Sequence, residues 1–203
     1  MTNTANVKKP TAHRPASRLT RRDLLKTTAA AGVAAVPCLV PARALGRDGK
    51  VAPSERILLG GIGLGGRGRS VLSGMLGEPD VQFLAICDPN RTRREMVKDM
   101  VDAKYGNKDC AMFHDLREFL PERTDLDAVV IATPDHWHAV QTVHACESGQ
   151  HVYVEKPASV TVREGRAMVT AARNNNRIVQ VGAQGRTGWG AYYTCRAIRN
   201  GIV

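Results

Sequence analysis

From Arg56 onward, apolar positions alternate between short continuous runs and helically spaced stripes. Runs at 56–62, 81–87, 126–133, 151–155 and 177–184 are short and β-branched, which predicts buried strands. A weaker run at 110–113 predicts a further strand, third in chain order. The segments between carry helical spacing: about 66–77, 90–104, a short one near 116–120, 137–147 closed by Gly149, 162–174 and about 189–200. In the second of these, Met96, Met100 and Val101 are expected to form the apolar stripe. Strand and helix alternating at such lengths predict an α/β domain, a doubly wound parallel sheet covered on both faces.

The first strand runs into Gly60-Gly61-Ile62-Gly63-Leu64-Gly65-Gly66-Arg67-Gly68, and a helix pattern follows. Two frames fit G-x-G-x-x-G: Gly61/Gly63/Gly66 and Gly63/Gly65/Gly68. The second is preferred because it lets the strand run to Ile62 and puts its first two glycines at the turn. One glycine permits a tight turn, the next lets backbone approach a pyrophosphate, and the third lets the helix lie close. N–H groups at the helix start would face the phosphates. Alone this motif is weak. A second signal follows at the end of the 81–87 strand, where Asp88 stands 20 residues after Gly68. That matches the spacing of the acid that holds an adenosine ribose.

If the strands are ordered 3-2-1-4-5-6, ligand belongs at their carboxyl ends, where the order reverses between strands one and four. Thr133-Pro134-Asp135-His136-Trp137-His138, Glu155-Lys156-Pro157 and Gln184-Gly185-Arg186 all end strands on that edge. Lys156, in a crevice, suits contact with a substrate hydroxyl or the nicotinamide ribose; a surface Glu-Lys pair in a turn fits the same residues. His136 and His138 read as caps or packed rings, because i, i+2 spacing does not bring two helical side chains to one metal.

The chain has 203 residues and a net charge of +10, which raises nucleic acid as a partner. The charge is misplaced for that. Residues 1–44 carry eight Lys/Arg and one acid, a net of +7, leaving +3 for the rest. No basic stripe interleaved with aromatics follows, so nucleic acid is excluded. The five cysteines show no metal-ligand spacing; Cys87 and Cys146 lie in apolar surroundings and read as core residues. No metal site is expected, and a domain with this much apolar strand does not depend on a disulfide.

The basic segment has its own order. Thr20-Arg21-Arg22-Asp23-Leu24-Leu25-Lys26 is a twin-arginine box, an apolar run extends to Val40, and Ala42-Arg43-Ala44 is an A-x-A cleavage site. The run is too short and alanine-rich to span a membrane. Residues 1–44 therefore resemble a twin-arginine (Tat) signal, with Leu24 where Phe is commoner. This predicts the Tat export machinery as a partner and a periplasmic location, the protein travelling folded with its cofactor. Residues 45–55 are expected to be a flexible linker, and 56–203 the nucleotide-binding domain.

Gly63-Leu64-Gly65-Gly66-Arg67-Gly68, Ile131-Ala132-Thr133-Pro134-Asp135-His136-Trp137-His138 and Glu155-Lys156-Pro157 together resemble the Gfo/Idh/MocA oxidoreductases, closest to their Tat-exported members. The resemblance runs from about Arg56 to Val203. It implies a Rossmann domain for NAD, with NADP as the alternative, and a second α/β domain that holds a sugar- or polyol-like substrate. That second domain, with the family's catalytic histidine, is expected beyond Val203, and a homo-oligomer is expected only of a longer form.

Residue by residue, Gly63, Gly65, Gly66, Arg67 and Gly68 would cradle the pyrophosphate, and Asp88 the adenosine ribose. Thr133, Pro134 and His138 would lie against the cofactor, and Glu155 would bind the nicotinamide ribose. Lys156 would touch both cofactor and substrate, as the one catalytic candidate. Gln184 and Arg186 match a less specific motif after strand six, and Pro157 is expected to be cis. Two alternatives stand beside a dehydrogenase: a non-catalytic cofactor-binding module, and a related glycosidase branch that uses bound NAD during hydrolysis. The resemblance to that branch is poorest at Glu155-Lys156-Pro157.

The leader generates a direct test. A reporter fused behind residues 1–44 should leave the cytoplasm folded, and Arg21→Lys with Arg22→Lys should hold it inside. Continued export of the double variant would refute the leader assignment.

Overall fold

A computed structural model describes Gly46, residues 51–186 and residues 188–202. The expected leader, including the twin-arginine box and the cleavage site, lies outside the described residues. The expected flexible linker overlaps them at 51–55, where Pro53–Glu55 form a 3-10 turn.

The strands are β1 (Ile57–Ile62), β2 (Val81–Cys87), β3 (Ala111–Phe113), β4 (Ala128–Ile131), β5 (His151–Glu155) and β6 (Val179–Gly182). Between and after them lie α1 (Gly66–Met75), α2 (Arg91–Tyr105), α3 (Leu116–Glu122), α4 (Asp135–Glu147), α5 (Val162–Asn174) and α6 (Trp189–Arg199). The sheet order is β3-β2-β1-β4-β5-β6, and every pairing is parallel. The predicted doubly wound order is therefore the observed one. Its reversal between β1 and β4 opens the crevice where such sheets bind ligand.

Two apolar layers sandwich the sheet. On one face Leu72 and Leu76 after β1 and Val97 and Val101 of α2 meet Leu59, Phe83, Ile86 and Val130. On the other, Phe119 and Leu120 of α3, Ala139, Ala145 and Cys146 of α4, and Met168 and Ala171 of α5 meet Ile62, Val129, Ile131, Val152 and Val154. Consecutive residues of β4 go to opposite layers, which explains why that strand is apolar without interruption. β1 and β2 slip register by one residue between Leu59 and Gly60.

Caps fix the helix starts. Asn90 Oδ1 accepts from Arg93 N–H at α2, and Thr161 with Glu164 forms a capping box at α5. Asp115 Oδ1 accepts from Arg117 N–H at α3, and the Arg117 guanidinium bonds the same carboxylate. That side-chain bond, then the backbone one, holds the Asp115 carboxyl down at about 2.

Three expectations are corrected. Met96 is 47 % exposed, while Val97 is fully buried beside Val101. The stripe of α2 is thus Val97, Met100 and Val101, because β2 lies one position further round the helix. α4 starts at Asp135, two residues before the expected Trp137, with Pro134 at its N-cap in extended backbone. β4 and β6 are shorter than their apolar runs, and after Gly182 the chain folds into a 3-10 turn at Gln184–Arg186.

Burial of cysteine follows expectation and goes further. Cys87, Cys110 and Cys146 are buried, and of the four described only Cys195 is exposed. Burial pushes the Cys87 thiol up to about 12 and the Cys110 thiol up to about 11.

Phe119 packs edge-on to Phe113, ring centroids 5.3 Å apart. Phe119→Ala should cost about 3–5 kcal/mol in chemical denaturation, whereas Met96→Ala should stay within about 0.5 kcal/mol. The Asp115 carboxyl, depressed in the folded chain, contributes stability that is present above its ordinary value of 3.8 and lost as pH falls towards about 2. Asp115→Asn keeps the helix-cap acceptor and should flatten that part of the acid limb in melts recorded between about pH 5 and pH 2.

Candidate functional site

The glycine turn links β1 to α1. Gly63 adopts φ +81°, and a Cβ there would lie 2.6 Å from the Thr133 backbone nitrogen. A Cβ on Gly68 would lie 2.0 Å from the Gly63 carbonyl oxygen. These two glycines answer to steric necessity, the tight turn and the close helix. Gly65 and Gly66 do not: a Cβ at Gly65 meets nothing nearer than Arg93 Nη1 at 3.8 Å, and at Gly66 nothing within 4 Å. Space is left open there, over the start of α1, whose N-cap Gly65 supplies no side-chain acceptor. First-turn N–H groups so exposed suit an anion.

This geometry favours the Gly63/Gly65/Gly68 frame. The open space belongs to a cleft of 860 Å³. Gly63, Gly65, Gly66, Arg67, Asp88, Thr133 and Pro134 all line it, so seven of the residues singled out from sequence come together.

Asp88 is 2 % exposed and its carboxylate knits the turn to β2. Oδ2 accepts from Leu64 N–H at 2.7 Å and Oδ1 from Asn90 N–H at 2.8 Å. Each oxygen retains a second lone pair for a hydroxyl. Of the arginines that follow, Arg94 bonds the Asp88 carbonyl and Arg91 pairs with Glu95 at 2.7 Å. Arg93 lines the cleft, joined by Arg117, which the sequence reading did not single out.

Glu155 stands next to this cleft rather than in its wall. The carboxylate, 3 % exposed, receives Arg67 Nη2 at 2.9 Å and Gln184 Nε2 at 2.5 Å on Oε1, with the Tyr153 hydroxyl at 3.4 Å. Its Oε2 accepts from Lys156 N–H at 3.3 Å. Burial pushes the Glu155 carboxyl up, but the bonds from Arg67 and Gln184 and the Arg67 charge outweigh it and leave it below the usual carboxylate range. Burial and the Glu155 charge raise the Tyr153 hydroxyl. One network thus ties α1 to the ends of β5 and β6.

Lys156 is exposed at the end of β5, and the Lys156–Pro157 bond is cis, as the resemblance implied.

Two further candidates, His138 and Arg186, do not line this cleft. His138 is fully buried, with Nδ1 2.6 Å from the Pro157 carbonyl oxygen and Nε2 2.9 Å from that of Thr133. Because α4 begins at Asp135, position 138 turns inward between β4 and β5 instead of towards the cleft. Arg186 faces a separate hollow with Tyr192, Cys195 and Arg196 of α6, since the 3-10 turn after β6 sends it away from Gln184.

Sequence reasoning missed Tyr153 and the wall made by Trp137, Val140, Gln141 and His144. Both left a signal. Tyr153 and Glu155 are two apart on one face of β5, and the four wall residues are spaced three or four apart along one face of α4. Among the described residues, no cluster of His, Cys, Asp or Glu is placed to hold a metal ion.

Comparison with known proteins places the chain. A glycosyl hydrolase family 109 protein of Solibacter usitatus is 33% identical over 169 residues, covering 79% of this chain and 38% of the relative. An α-N-acetylgalactosaminidase of Shewanella oneidensis is 34% identical, over 64% of this chain and 29% of that protein. The chain thus spans well under half the length of these curated relatives. Among solved structures, scyllo-inositol dehydrogenase of Lactobacillus casei with bound NAD(H) and scyllo-inositol superposes with a TM-score of 0.63 at 21% identity, over 73% of this chain and 42% of that one. The WlbA dehydrogenase of Bordetella pertussis, in complex with NADH and UDP-GlcNAcA, gives 0.63 at 24% identity, over 72% and 42%. Those likenesses show the fold. The model of the Gfo/Idh/MocA oxidoreductase family, described as an NAD-binding Rossmann fold, matches residues 57–183, and the chain therefore belongs to that family.

Proposed function

We propose that residues 57–183 form the cofactor half of an oxidoreductase that moves a hydride between a nicotinamide cofactor and a sugar- or polyol-like substrate. The observation that carries the cofactor part is the unfilled space over Gly65 and Gly66, in front of an uncapped helix start. Those N–H groups, with the Arg67 guanidinium beside them, would hold a diphosphate. Asp88 would accept the ribose hydroxyls on the β2 side, and Thr133 and Pro134 would border the nicotinamide side. Bound there, the nicotinamide ring supplies the hydride acceptor or donor. Glu155 would take the second ribose, and exposed Lys156 would orient the substrate hydroxyl. The substrate class rests on likeness to a protein named for scyllo-inositol and to one solved in complex with UDP-GlcNAcA. We further propose export through the twin-arginine pathway to the periplasm, on the order of parts in residues 1–44.

NAD is proposed over NADP. The Asp88 carboxylate suits two ribose hydroxyls but would meet a 2′-phosphate carrying about −2 charge. Arg93 and Arg117 on the same cleft moderate that preference without reversing it.

A second reading has one observation in its favour, the glycosyl hydrolase names of the relatives about one-third identical. In it the same cofactor site serves hydrolysis of a glycoside.

Calorimetric titration should show NAD bound more tightly than NADP, with Asp88→Asn moving the ratio towards NADP by about tenfold, the equivalent of about 1.4 kcal/mol. The 203-residue chain is expected to form no NADH from sugars or polyols, because exposed Lys156, the catalytic candidate, is a poor base at neutral pH. Steady NADH formation that disappears in Lys156→Ala would show the chain to suffice. Hydrolysis of an aryl glycoside would establish the second reading instead.

A further inference from the structure

We infer that His138 is a positioning residue that sets the nicotinamide side of the cofactor site from beneath, by binding the chain after β4 to the chain after β5. The inference rests on the cofactor reading above. Three observations carry it. The ring is fully buried, and its two nitrogens approach the carbonyl oxygens of Thr133 and Pro157, at 2.9 and 2.6 Å. Those carbonyls belong to the two segments that carry Thr133–Pro134 and Lys156. The remaining side-chain function of Thr133 is also held from α4, its hydroxyl donating to Gln141 Oε1 at 2.8 Å.

A carbonyl oxygen only accepts and a neutral imidazole carries one N–H, so the tautomer decides which of the two carbonyls receives the hydrogen bond while the other packs against the ring. The ring is rigid and flat, with its nitrogens on opposite sides, so it fixes the separation of the two segments as a flexible side chain cannot. Thr133 in turn abuts the glycine turn, where a Cβ on Gly63 would strike its backbone nitrogen at 2.6 Å. Loss of the ring would remove the link between the Thr133 and Pro157 carbonyls and let Thr133–Pro134 and Lys156–Pro157 drift relative to each other. Asp88 and the first turn of α1 share no hydrogen bond with His138 and would keep their places. The effect is therefore directional. The half of a dinucleotide beyond the diphosphate is misplaced, and the adenosine half is not.

The test compares NAD with ADP, which carries the adenosine and the diphosphate alone, on the full chain. His138→Ala should weaken NAD by at least about tenfold, the fold-change for one buried hydrogen bond lost. ADP affinity should stay within about twofold. His138→Gln, which keeps one donor, should recover part of the NAD affinity, and it carries the comparison if the alanine variant fails to melt cooperatively. Equal weakening of both ligands, or no NAD-selective loss in either variant, would overturn the inference while leaving the cofactor site standing. A wild-type chain that binds neither NAD nor ADP would overturn the cofactor reading and this inference with it.

Discussion

The approach of Gly68 to the Gly63 carbonyl is the contact on which the rest depends. A single added carbon there would sit 2.0 Å from that oxygen, so α1 can lie on the turn only while both positions are bare. With the helix seated, Leu64 N–H reaches the Asp88 carboxylate at 2.7 Å and the end of β2 is drawn to the end of β1. On the other side Gly63 touches Thr133 and draws in the end of β4. Three strand ends are thereby fixed around one turn, and the cleft is what remains between them. Substituting either glycine removes the site before it removes any ligand contact.

Architecture was legible because parallel strands buried on both faces are apolar along most of their length, as β2 and β5 are, and β4 is so at every position. The glycine frame and Asp88 were legible because their spacing follows from the turn itself. What the sequence concealed depends on rotation about a helix axis. Met96 and Val97 differ by one position, and hydropathy alone ranks both as core. His138 was legible from its residue type and spacing as a cap or packed ring, and it is a packed ring. Its orientation follows from α4 beginning at Asp135, two residues before the expected start. Arg186 was hidden by a 3-10 turn that ends β6 early, a feature of backbone geometry that residue type announces weakly.

The end of β5 shows how a buried charge is accommodated. Glu155 lies almost wholly out of water, yet stays ionised through Arg67, Gln184 and the Lys156 amide. Arg67 has a second task open to it, since it also borders the space over the helix start. An anion seated there would share the guanidinium with Glu155.

Burial of the thiols decides which part of the molecule can be labelled. The thiolate is the reactive form, and Cys87 and Cys110 are held protonated far above neutral pH. Cys195, exposed on α6, is left as the described position open to alkylation. A maleimide dye would therefore enter on the last helix, beside Tyr192 and Arg196 and clear of the glycine turn. With Cys38 of the leader replaced, that gives the described domain a reporter on its last helix while the three buried thiols stay unlabelled.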